Sequence, residues 1–152
     1  MSASIREQIL ASVQALLQGT DAPAGLQVYR ERTRPIETTS LPAILIYAED
    51  DQPRAFDGSN YRSPLLERDL SVRLECRAQG NQTTPADVAL DPIVVWALQT
   101  IMQNEKFGGL ANGVVEGRSV WNSQEGDVSI ASATIQLTIK YRTSRLDPTS
   151  QS

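Results

Sequence analysis

Residues 69–77 read Asp69-Leu70-Ser71-Val72-Arg73-Leu74-Glu75-Cys76-Arg77, an unbroken alternation of apolar and polar side chains. Successive side chains on an extended strand point to opposite faces. Leu70, Val72, Leu74 and Cys76 therefore share one side, and the charged residues and Ser71 the other. One face is core and the other is wet, as in a half-buried antiparallel strand. The pattern returns near the C-terminus, where Ala131, Ala133, Ile135, Leu137, Ile139 and Tyr141 oppose Ser132, Thr134, Gln136, Thr138 and Lys140. Upstream, Pro42 introduces Ala43-Ile44-Leu45-Ile46-Tyr47, a short continuous apolar run that suits a central strand covered on both sides. Leu26–Arg30 and Val114–Trp121 supply two more strands.

Two segments carry helical periodicity instead. Ile5, Ile9, Val13 and Leu16 recur at helical spacing over 5–18, with Gly19 as a stop. Ser4 and Glu7 have the spacing of a capping box, in which each side chain satisfies an amide of the other. The second helix starts at Thr84-Pro85-Ala86-Asp87, with Thr84 as cap and Pro85 at the first helical position. Val88, Ile93, Val94, Trp96, Leu98, Ile101 and Met102 make it the main core helix, and Pro92 predicts a kink or break near residue 91. Gly108 and Gly109 stop it. Residues 48–64, with Glu49, Asp50, Asp51, Pro53, Gly58 and Pro64, read as a long exposed loop, and 146–152 as a polar tail. The expected fold is α+β: a single mixed, largely antiparallel β-sheet of about five strands with two α-helices packed on it, all within one domain spanning 1–145.

Composition narrows function further. The chain has 152 residues, no histidine and one cysteine. Without histidine there is no Ser-His-Asp or Cys-His unit and no His-ligated metal. Cys76 alone forms no internal disulfide, and its place on the apolar face makes it a core residue. Fourteen basic residues against eighteen acidic ones give a formal charge of −4, the opposite of a nucleic-acid groove. No apolar run reaches the roughly 18 residues of a membrane span, and MSASIREQIL lacks the order of a signal peptide. The expectation is folding in the cytoplasm, away from membranes.

Several side-chain groups are candidates for function. Glu49, Asp50 and Asp51, with Glu67 and Asp69, read either as a solvated loop and strand end or as a Mg²⁺ site for a nuclease built on Asp50, Asp51 and Asp69. Neighbouring strand residues diverge, so Asp50 and Asp51 do not converge by default. Arg30, Arg32 and Arg34 alternate along an extended stretch, as a solvated edge or as an arginine ladder for phosphate or a neighbour's carboxylates. Trp121, at a strand end, suits core or interface. Gly108-Gly109-Leu110 and Gly113 lack the ending of a phosphate-binding loop.

The order of these elements resembles that of the tail terminator proteins of long-tailed bacteriophages, the lambda-like minor tail protein U family. The likeness rests on the N-terminal helix, the strand Leu41-Pro42-Ala43-Ile44-Leu45-Ile46-Tyr47, the strand Asp69–Glu75, the helix over Leu90–Met102 and the closing Ile139-Lys140-Tyr141-Arg142-Thr143. It covers nearly the whole chain. It implies a virion component assembled in the host cytoplasm, without enzymatic activity, cofactor or metal. Such a protein forms a homohexameric ring on the last ring of tail tube protein, stops tube growth and joins the tail to the head connector. DNA passes through the lumen unbound, and six copies at −4 each carry about −24. The resemblance directs attention to the loop over 48–64, where Asp50, Asp51, Arg54, Asp57 and Arg62 would reach a neighbouring subunit or ring, together with Arg30, Arg32 and Arg34. Another neck or tail ring protein, such as the tube protein or a head-tail adaptor, is the alternative reading.

Overall fold

The computed structural model describes residues 2–31, 41–55, 64–124 and 128–151. Two helices, α1 (Ile5–Leu17) and α2 (Ala86–Gln103), accompany five strands, β1 (Gln27–Arg30), β2 (Ala43–Ala55), β3 (Leu65–Gln79), β4 (Gly113–Gln124) and β5 (Ile130–Ser144). The strands form one mixed sheet in the order β1-β2-β3-β5-β4, with β1 parallel to β2 and every other pair antiparallel. The fold is the expected α+β arrangement.

At its centre β3 and β5 pair over fifteen residues, from Leu65 opposite Ser144 to Gln79 opposite Ile130. Their apolar faces coincide: Leu70, Val72, Leu74 and Cys76 meet Ile139, Leu137, Ile135 and Ala133, all buried. The helices dry this face, α1 with Ile5, Ile9, Leu10, Val13 and Leu17, and α2 with Ala86, Leu90, Ile93, Val94, Ala97 and Ile101. Burying an aliphatic side chain is worth about 1.5–3 kcal/mol, so this layer is the main drive to fold. β2 lies inside the sheet, and Ala43 to Ile46 are buried on both faces, as the apolar run required.

Local signals hold with informative exceptions. Ser4 Oγ accepts from the Glu7 amide at 3.1 Å, but the return half of the capping box is not made, because the Glu7 carboxylate turns to Arg30. Two bonds to an oppositely charged guanidinium outcompete a single bond from a neutral backbone amide. In α2 the cap is Pro85 rather than Thr84, one residue later than expected, and Asn81 Oδ1 ties the preceding turn by accepting from the Thr83 and Thr84 amides. The helix runs through Pro92 without a break. The carbonyl that the missing N–H of Pro92 leaves unpaired belongs to Val88, an exposed residue, where water can take the place of the lost donor. Helix α2 ends at Gln103, before the expected glycines. These belong to a following 3₁₀ turn (Phe107–Gly109), where Gly108 and Gly109 have positive φ.

The expected loop over 48–64 is in large part sheet, because β2 continues to Ala55 and β3 begins at Leu65. Residues 56–63 lie outside the described residues. The acidic run misled because a bulge at Glu49 breaks the alternation, so that Ala48 faces Val72 and Asp50 faces Ser71. Pro53 is tolerated because β2 has a described neighbour on one side only beyond Ile46. The C-terminal tail is polar but tied down: the Pro148 carbonyl accepts from the Ile5 amide at 2.9 Å, and Gln151 donates to the Leu110 carbonyl at 2.8 Å.

Gly80 turns the chain from β3 toward α2 so tightly that a Cβ there would stand 2.6 Å from the Ala86 nitrogen. Gly80→Ala is expected to cost about 1–3 kcal/mol through this backbone clash, read as a lower Tm in thermal unfolding.

Candidate functional site

The nominated charges fall into three groups. Arg30, at the end of β1, faces the helices and grips Glu7 of α1 with two bonds, Nη1 to Oε1 at 2.8 Å and Nη2 to Oε2 at 3.0 Å. The hydrogen bond from Arg30 holds the Glu7 carboxyl below the usual range and raises the guanidinium in turn. The first rung of the expected arginine ladder is thus engaged within the chain, pinning α1 to the sheet edge. Arg32 and Arg34 lie outside the described residues.

The bulge at Glu49 builds the second group. It turns Asp51 toward the helix-covered face, opposite Leu70, while Asp50 stays exposed on the other face. There the Tyr141 hydroxyl donates to the Asp51 carboxylate, and Arg68 Nη1 reaches the same carboxylate at 3.5 Å. Arg68 Nε also donates to Thr143 Oγ1 at 2.9 Å. Tyr141 and Thr143 are buried. Burial first, then the bond to Asp51, raises the Tyr141 hydroxyl far above its ordinary range, so it stays a donor. This cluster clamps the outer half of β2 onto β3 and β5.

The third group lies on the opposite face, which no described helix covers. Arg54 contacts Glu67 at 3.2 Å and Asp69 at 3.5 Å, and Lys140 reaches Asp69 at 3.1 Å. Further along, Arg73 stacks on Tyr47 with 4.5 Å to the ring centroid, and Arg77 pairs with Glu75 at 2.6 Å. Ser71, Ser132, Thr134, Gln136 and Thr138 fill the space between, making a broad polar wall. A cavity of about 320 Å³ opens on it among Leu41, Glu75, Arg77, Gln124, Ile130 and Ser132.

Asp51 and Asp69, the carboxylates of the metal-site reading, therefore face opposite sides of the sheet, each beside a cation. Among the described residues no three His, Cys, Asp or Glu are grouped to hold a metal ion, and no helix is long and apolar enough to cross a membrane. Asp51 and Arg54, nominated to reach a neighbour, are engaged within the chain, while Asp57 and Arg62 lie outside the described residues. Burial pushes the Cys76 thiol up to about 12, which suits a core residue.

Sequence reasoning missed the partners Tyr141 and Lys140, which stand 90 and 71 residues from Asp51 and Asp69. It also missed that β4 is exposed from Val115 to Gln124. No protein-family model matches this sequence, and neither does any curated protein.

Glu7 is lowered from 4.5 in the fold, so its contribution is complete above that pH and disappears as pH falls through the lowered value. Glu7→Gln should cost about 0.5 kcal/mol at pH 7, small because the pair is partly exposed. Denaturant melts should show the difference from wild type shrinking as pH falls below 4.5 and closing once Glu7 is protonated in the fold. Tyr141→Phe removes the hydroxyl that donates to Asp51 at almost constant volume, leaving Arg68 as its remaining partner, and should cost about 1–3 kcal/mol by the same melts.

Proposed function

We propose that this chain is a ring-forming phage tail terminator, acting through surface matching between copies and against the end of a tail tube. The observation that carries this reading is the one-sided sheet. Helices close one face, while the other is a wide polar wall on which Arg54, Lys140 and Arg77 are paired with Glu67, Asp69 and Glu75 and Arg73 lies over Tyr47. With the helices outward, copies arranged in a closed ring turn that wall to the lumen. Serine, threonine and glutamine beside cations already engaged by carboxylates offer DNA little net attraction, whereas an uncompensated basic wall would hold its backbone. The resemblance in element order supplies the place in the virion: the ring caps the tube and presents its far side to the head connector.

A protein that ends polymerisation matches the growing end and lacks the surface that recruits the next ring. In this reading the clamped β2–β3 arm offers a contact of fixed position, because Asp51, Arg68 and Tyr141 hold it against β5. Rigid arms match a partner at low entropic cost.

Electron microscopy of particles assembled without this chain tests the proposal. The expected result is tubes of uneven length without heads, restored to uniform joined tails by adding the purified protein. Normal tails in its absence, or Mg²⁺-dependent cleavage of plasmid or branched DNA by the protein, would overturn it.

A further inference from the structure

Strand β4 is a sheet edge with Val115, Val120 and Trp121 standing 50%, 38% and 47% exposed. A long apolar edge is usually blunted by Lys, Pro or shortness. This one has twelve residues, GVVEGRSVWNSQ, with neither Lys nor Pro. Its single bulge lies at Gly117–Arg118, where a Cβ on Gly117 would meet the Gln136 carbonyl at 3.0 Å. The bulge shifts the parity of the strand, so Val114 and Trp121 both face the helix side.

The sheet itself indicates what fits there. Among the described residues its other edge is β1, and following the pairings across the sheet shows that β1 and β4 run in opposite directions. Rotating one copy beside the next about an axis along the strands sets β4 antiparallel to the neighbour's β1, with like faces continuous. The level also agrees. The row through Val28 runs through Ile44, Cys76 and Ala133 to Trp121, and the row through Tyr29 runs through Leu45, Glu75 and Thr134 to Val120. The flanking rows end on Gln27 with Asn122 and on Arg30 with Ser119. At equal height, apolar meets apolar and polar meets polar.

We infer that the β4 edge docks on the β1 edge of a second copy of this chain, with Trp121 as the buried anchor against Val28. The contact is heterologous, so each copy keeps one edge of each kind and the joint repeats until a ring closes. The inference rests on the ring reading above and names the surface that makes the ring.

A cysteine pair at Gln27→Cys and Asn122→Cys tests it with the anchor intact. Within one chain the two positions lie four strand spacings apart, roughly 19 Å, beyond the about 7 Å that a disulfide spans. Oxidation is therefore expected to give a ladder of cross-linked copies on a non-reducing gel. Trp121→Lys, or Val120→Lys as a second variant, should keep the monomer's circular dichroism while raising the concentration for half-assembly about tenfold or more. If the protein assembles yet neither cross-links nor responds to these lysines, the docking edge is wrong and the ring stands. If no assembly occurs even with tail tubes present, the ring reading fails and takes this inference with it.

Discussion

The fifteen-residue pairing of β3 with β5 is the constraint on which the other parts depend. Its apolar side leaves water only if something covers it, and α2 lies across the pair with α1 alongside. Once that side is closed, alternation leaves the polar side without a helix. The asymmetry that makes this sheet a candidate wall follows from the two strands at the centre of its core. The strands added outside the pair then decide what the molecule offers to others: β2 carries a clamped arm, and β4 carries an open edge.

The alternating and continuous apolar runs, each with a single structural meaning, were legible. Leu70 to Cys76, Ala131 to Tyr141 and Ala43 to Tyr47 became strands, and the stripe from Ile5 became a helix. What escaped was set by contacts distant in sequence. Glu49-Asp50-Asp51 reads as loop until Arg68 and Tyr141 arrive from other strands to receive Asp51. The Glu7 carboxylate reads as half of a capping box until Arg30 arrives from β1 and donates two hydrogen bonds to it. Neither outcome has a local signal, because an ion pair across a sheet follows from register.

The same limit applies to the surface. Val114–Trp121 was recognisable as a strand, but not as an edge: its exposure depends on β5 joining β3 and leaving β4 outermost. The bulge at Gly117–Arg118 hides the parity that places Val114 and Trp121 on one side. Two bulges, at Glu49 and at Gly117–Arg118, thus account for both surfaces that composition could not assign. Each turns residues that a regular strand would have sent to the opposite face.

The central claim is that copies of this chain close into a ring on the end of a tube. Native mass spectrometry of the purified protein, alone and mixed with tail tubes, tests it most directly. The account predicts a closed species of fixed copy number, six by the resemblance, present free or released from tube ends. A chain that stays monomeric and unbound at saturating tube concentration would contradict it.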